Sequence, residues 1–143
     1  MKEKDLSFRS SCPLSCSLDL IGDKWSLLIL RDMILFQKKT FKEFLASDEK
    51  IATNILSDRL VKLQERDLIV KSNHPYNNKV YLYNLTKVGA GLIPVIIELL
   101  VWFHNNSIKY NVAIPESGQS LLKEYEQDRD GLITKIEALN ELV

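Results

Sequence analysis

From Lys24 to Gly89 the chain runs through a fixed succession of hydrophobic patterns, and that succession limits the available folds more than any single residue does. Lys24 to Phe36 is apolar on nearly every side, through Trp25, Leu27, Leu28, Ile29, Leu30, Met33, Ile34 and Leu35. Such a helix is buried around most of its circumference, so it predicts the central post of a domain. Thr40 and Glu43 have capping-box spacing and open a short helix with Phe41, Phe44 and Leu45 on its inner stripe. In the next helix, between Ile51 and Asp67, the residues Ile55, Leu56, Leu60 and Leu63 turn inward. Thr53, Asn54, Ser57, Asp58 and Lys62 are left facing outward, with Arg59 near the boundary. Asp67 suits the left-handed residue that ends such a helix. Lys71 to Leu85 alternates like a hairpin around the turn formers His74 to Lys79. Thr86 then caps a long helix, from Lys87 to about Asn106, with a kink expected at Pro94.

Helix, helix, helix, hairpin, helix predicts a mainly α protein with a small β-hairpin (α+β), in winged helix-turn-helix order with long C-terminal dimerisation helices. Residues 1–11 lack a period and read as a flexible arm. Cys12-Pro13 begins a helix with Leu14, Leu18 and Ile21 on one face, and Asp23 caps the post helix after a break at Gly22. The long helix carries more apolar surface than a small domain can cover, and the excess reads as a dimer interface. Leu14, Leu18, Ile96, Leu99, Leu100 and Phe103 are its candidate residues. After a linker at 113–118, Leu121, Tyr125, Leu132, Ile136, Leu139 and Val143 recur at close to helical period, with an interruption expected at Gly131. The chain thus divides into 1–11, 12–106 and a linker with an amphipathic arm at 107–143.

Composition excludes several classes. The charged start predicts no secretory leader. The apolar run Leu92 to Phe103 is too short to span a bilayer and contains Pro94 and Glu98, so no membrane partner is expected. Two cysteines four residues apart make neither a disulfide framework nor a four-ligand metal site. A reduced, cytoplasmic setting without metal or cofactor is the simplest expectation. Net charge is zero, from 19 basic and 19 acidic residues. The distribution is uneven: residues 36–86 carry nine Lys/Arg against six Asp/Glu, and residues 107–143 carry four against seven. A mildly basic head with an acidic tail fits a sequence-specific binder better than a non-specific coat protein.

A helix reads a major groove when short polar groups reach base edges and cations reach phosphates. Thr53, Asn54 and Ser57 meet the first need, with Asn54 able to pair bidentately with adenine. Asp58 shares that outer face, and Arg59, Lys62 and Lys71 meet the second need. Lys79 near the hairpin tip is placed for the minor groove or its walls. Taken singly, each of these residues fits a plain solvated surface as well; the order of the set carries the weight. A winged-helix module that binds protein and not DNA is the alternative that the acidic Asp58, Glu65 and Asp67 leave open. No histidine lies near Cys12 in sequence, so nothing asks for thiol catalysis and no catalytic residue is assigned.

The blocks Cys12-Pro13, Leu18 to Trp25, Leu28 to Arg31, Phe41 to Phe44, Leu56 to Leu60, Leu63 to Glu65, Leu68-Ile69, Tyr83 to Thr86 and Gly89 resemble the HxlR-type winged helix-turn-helix regulators. The resemblance spans about residues 12 to 106. It implies a homodimeric bacterial transcription regulator on double-stranded, palindromic operator DNA, with sensing of oxidants or electrophiles by the cysteine of the Cys-Pro pair in several relatives. The effector of this chain is not implied. Three features depart from the family: Ala52 stands where a capping Ser or Thr is usual, Tyr76-Asn77-Asn78-Lys79 replaces the usual Pro-Pro-Arg run, and the arm after residue 107 is long. Independently of the resemblance, Cys12 at a helix start is placed where free amides and the helix dipole favour a thiolate. Cys16, one turn on, is poorly placed to bridge to it while the helix is intact.

Overall fold

The computed structural model describes residues 6–140 of the 143. Eight helices and one hairpin follow in the order α1 (Pro13–Ile21), α2 (Lys24–Phe36), α3 (Phe41–Leu45), α4 (Thr53–Glu65), β1 (Ile69–Asn73), β2 (Tyr81–Leu85), α5 (Lys87–Ala90), α6 (Ile93–Asn106), α7 (Glu116–Gln127) and α8 (Arg129–Leu139). The expected helical class with a two-stranded antiparallel hairpin is what the chain forms.

α2 is the central post, packed by α1, α4 and α6. Its Ile29, Leu30, Met33 and Ile34 are buried with Phe44 of α3, Leu56, Leu60 and Leu63 of α4, and Ile93 and Ile97 of α6. Local chemistry sets each start. The Asp23 carboxylate accepts from Trp25 N at 3.3 Å and Ser26 N at 2.9 Å, capping α2. Thr40 and Glu43 form the full capping box of α3. Asp67 ends the α4 segment at φ 59°, in the left-handed region.

The hairpin pairs Ile69 with Leu85 and Asn73 with Tyr81. It is stitched to the body where Tyr83 N donates to Lys39 O at 2.8 Å, and the Tyr83 ring meets Phe44 edge-on at 6.2 Å. Thr86 caps α5 through Gly89 N and donates its hydroxyl to Asp67 O at 2.6 Å. Gly89 is required there: a Cβ would lie 2.0 Å from Leu68 O.

Four expectations need correction. The long helix from Lys87 is not one kinked rod but α5 and α6, separated at Gly91-Leu92. Proline has no N–H to donate and its ring crowds the carbonyl four residues back. The chain therefore breaks ahead of Pro94 and uses it in the first turn of α6, where no donor is needed. Ile96 is 5% exposed and belongs to the core of the protomer, not to an outer face. The linker is shorter than expected, since Glu116, Ser117 and Gly118 are already helical. The arm breaks at Asp128 and not at Gly131: Asp128 caps α8 by accepting from Gly131 N at 2.9 Å, which puts that glycine inside the first turn.

The stretch Lys87–Asn106 contains an 18-residue window of mean hydropathy 1.6, long and apolar enough by composition to cross a membrane. Here the stretch is broken at Gly91, and Ile93, Ile97 and Val101 along its inner side build the core. The arm folds back on the same protomer. Leu132, Ile133 and Ile136 of α8 enter the core, and Asn140 Nδ2 donates to Ile34 O at 3.0 Å. Glu98 of α6 accepts from Tyr125 Oη at 2.9 Å and from Arg129 Nε at 2.7 Å. Residues 6–11 are irregular and exposed; Arg9 N donates to Asp19 Oδ2 at 3.2 Å.

Candidate nucleic-acid interface

α3, the turn 46–52 and α4 stand against α2, and α4 divides cleanly into two sides. Leu56, Leu60 and Leu63 are buried, while Thr53, Asn54, Ser57 and Asp58 are exposed. The division follows from helical period alone: three leucines at i, i+4 and i+7 are claimed by the core, so the residues between them face out. The N-terminal residue before α4 is Ala52, at φ −69° and ψ 145°, with no side-chain oxygen to accept from the first turn. The leading amides of α4 therefore lack the side-chain cap found on α2, α3 and α5.

The cations of α4 are engaged with carboxylates. Arg59 Nε donates to Asp23 Oδ2 at 2.8 Å and Arg59 Nη1 to Asp58 Oδ2 at 2.5 Å. Lys62 Nζ lies 3.1 Å from the same Asp58 oxygen, an i,i+4 pair along the helix. Hydrogen bonding to the Asp23 carboxylate holds the Arg59 pKa above its ordinary value. For Asp23, burial pushes the carboxyl up, but the bonds from Arg59 and from Ser26 outweigh it and hold it well below the usual carboxylate range. Asp58 is likewise lowered, first by Lys62 and then by Arg59. Arg59 is 24% exposed at its side chain and ties α4 to the N-cap of α2. Asp23 as a helix cap and Arg59 as a phosphate contact are separate expectations from sequence, and a 36-residue separation carries no signal that the two side chains meet.

On the hairpin, Lys71 is exposed with Nζ 3.9 Å from the centre of the Tyr81 ring, a cation–π contact that leaves the charge in solvent. Lys79 is exposed at the tip, where its N–H donates to Asn77 Oδ1 at 3.0 Å. The expected dimer residues divide. Leu14, Leu18 and Leu99 are more than half or half exposed, Leu100 is partly buried, and the Phe103 ring stacks on Tyr110 at 6.0 Å. Val95 and Trp102, outside the candidate set, are 43% and 59% exposed and flank Leu99 on one face of α6, a grouping legible in the 95, 99, 102 spacing.

Cys12 is exposed and occupies the N-cap position of α1. The backbone amides of Ser15 and then Leu14, at the start of α1, lower its pKa. Cys16 is partly buried, with Sγ donating to Ser10 O at 3.2 Å. Both thiols are free, and the helical bond from Cys16 N to Cys12 O, 2.9 Å long, is intact.

A helix pair with an outward-facing second helix, followed by a β-hairpin on the same domain, defines a winged helix-turn-helix protein. The chain belongs to the HxlR-like helix-turn-helix family, whose model matches residues 20–110, and it is a transcriptional regulator of that family rather than an enzyme. It is 33% identical over 91 residues to the HTH-type transcriptional regulator YdeP of Bacillus subtilis strain 168, covering 64% of this chain and 70% of that one. Among solved structures, the reduced form of the redox regulator HypR superposes with a TM-score of 0.60 at 26% identity, over 67% of this chain and 94% of that one. The reduced form of the transcriptional regulator YodB from B. subtilis gives 0.53 at 27% identity, over 66% and 92%. The family match stops at residue 110, so α7 and α8 lie beyond it.

Proposed function

We propose that this regulator is cytoplasmic and binds a palindromic DNA operator sequence-specifically as a homodimer, with α4 of each protomer in the major groove. The observation that carries the reading is the division of α4. One side is spent on the core, while the other offers Thr53, Asn54 and Ser57 to base edges. In this reading uncapped amides at the start of α4 and the exposed Lys71 and Lys79 serve phosphates, which position the helix without reading sequence. Two copies joined through the exposed apolar faces of α1 and α6 would read half-sites roughly 34 to 36 Å apart, one helical turn.

Genomic DNA capture with the purified protein, followed by gel shifts on the recovered duplex, tests this. Asn54→Ala is expected to relax preference at one base position by about 1 to 3 kcal/mol, and Lys71→Ala to weaken all sequences alike. Salt-insensitive binding, or gel shifts unmoved by either change, would refute α4 and the hairpin as the reading surface.

Oxidation or electrophile attack at Cys12 is the proposed control. Its exposure and the nearby helix-start amides that lower its pKa favour the thiolate, which is the reactive form. HypR, a structural neighbour, is itself described as a redox regulator. Mass spectrometry after mild diamide treatment, run beside operator binding, decides it: an unmodified Cys12 with unaltered binding removes the sensor.

A further inference from the structure

Arg59 and Lys62 are the two cations of α4, and both are already committed. Asp58 Oδ2 takes Arg59 Nη1 at 2.5 Å and Lys62 Nζ at 3.1 Å, and Asp23 Oδ2 takes Arg59 Nε at 2.8 Å. Two positive groups face two carboxylates, so this part of the surface is close to electrically neutral. The carboxylates differ in duty. Asp23 also caps α2 and accepts from Ser26 Oγ at 2.6 Å, so it is part of the scaffold. Asp58 caps nothing; it stands on the solvent side of α4, one turn after Asn54 and one turn before Lys62, with its side chain 46% exposed. Its removal would leave Arg59 still anchored to Asp23.

We propose that Asp58 is a specificity-determining residue: its carboxylate is a built-in counterion that occupies Arg59 and Lys62 and holds down sequence-independent binding to DNA. The inference rests on α4 being the DNA-facing helix. Non-specific affinity comes from cations that neutralise phosphates and release the condensed counterions of DNA. A lysine paired with a carboxylate on its own helix releases less, and swinging it to a phosphate leaves Asp58 facing the backbone as a like charge. Random duplex offers nothing to offset that. Operator DNA also offers base contacts to Thr53, Asn54 and Ser57, so the ratio of operator to random affinity widens. A different role, acceptance of a cytosine amine by Asp58, would weaken operator binding on removal and leave random binding unchanged.

The test uses the full chain with Asp58→Asn, random-sequence duplex over a salt series, the captured operator, and elution from heparin-agarose. Asp58→Asn is expected to bind random duplex roughly fivefold tighter near 0.1 M salt, with the log–log salt slope steeper by about 0.9 for each cation freed. It should elute from heparin at higher salt, and the operator-to-random ratio should fall. In a Lys62→Gln background the gain should shrink, because the pair no longer exists to be broken. Glu137→Gln makes the same charge change on α8, away from α4, and should leave random binding where it was. Random affinity and heparin elution that stay level or weaken in Asp58→Asn would overturn the proposal. So would a gain undiminished by Lys62→Gln or matched by Glu137→Gln. The DNA reading itself fails in another way: the wild type then prefers no genomic duplex, while heparin elution continues to report on the counterion.

Discussion

Arg31 joins α2 to the turn between α3 and α4 through one guanidinium. Nη1 and Nη2 each donate to Glu49 at 2.8 Å, a bidentate fork, and Nη2 also donates to the buried Asp32 at 2.7 Å. Asp32 further accepts from Lys38 Nζ at 3.3 Å and from the Ser47 hydroxyl, so the turn between α3 and α4 is fastened to α2 from two sides. The turn thereby fixes where α4 begins. The Arg31 fork holds the Glu49 pKa at about 2, down from 4.5. A carboxylate depressed in the folded state contributes its stability in full above the unfolded value and loses it as pH falls through the folded one. The contribution of Glu49 is therefore complete above about pH 4.5 and fades toward pH 2. Glu49→Gln should lower the urea midpoint at neutral pH, and the gap from wild type should close as pH drops through that window. A gap constant from pH 7 to pH 3 would show that the fork adds nothing to stability; salt screening of the half-exposed Glu49 keeps the effect modest.

At the scale of elements, α4 starts without the side-chain cap that opens α2, α3 and α5. Ala52 has the extended backbone of an N-cap but no oxygen to donate to the role. Ala52→Ser at that geometry should stabilise the fold by about 1 kcal/mol, and raise Tm by about 3 °C. Differential scanning calorimetry measures it, and an unchanged or lowered Tm would mean the leading amides are already satisfied. The legibility of the elements follows the range of the forces that made them. Asp23, the Thr40/Glu43 box, Asp67 and Thr86 act within three or four residues, and each was readable from spacing. The outward set of α4 was readable because three leucines fixed its phase. The pairing of Arg59 with Asp23 was not, since it depends on how α4 crosses α2. Pro94 and Gly131 misled for one reason: each sits near a break, but the break falls where a neighbour can end or cap a helix, at Gly91 and Asp128. Ile96 shares a hydrophobic run with truly exposed residues, and composition could not tell its side of α6 from theirs.

For the whole molecule, α6 serves two masters on different sides, and the separation can be tested. One side feeds the core through Ile93, Ile96, Ile97 and Val101, extended by Leu132, Ile133 and Ile136 from the arm. The other presents Val95, Leu99 and Trp102, half exposed at adjacent turns, in a patch that the arm does not cover. Changes on the two sides should therefore have separable effects. Leu132→Ala deletes buried methyl groups and should cost about 2 to 5 kcal/mol of folding stability. Leu99→Glu and Trp102→Glu alter exposed positions, so the protomer should keep its circular-dichroism spectrum and lose little stability beyond that of the dimer. What they should lose is association: a charge pressed into an apolar contact between copies has no partner, and sedimentation velocity at micromolar concentration should show a monomer. Operator affinity would fall with it, because two half-sites bound by an unlinked pair forfeit the effective concentration of the second reading helix. If both variants sediment as the wild type does, the copies pair elsewhere. The spacing of the α4 helices would then have to be rebuilt on that other face.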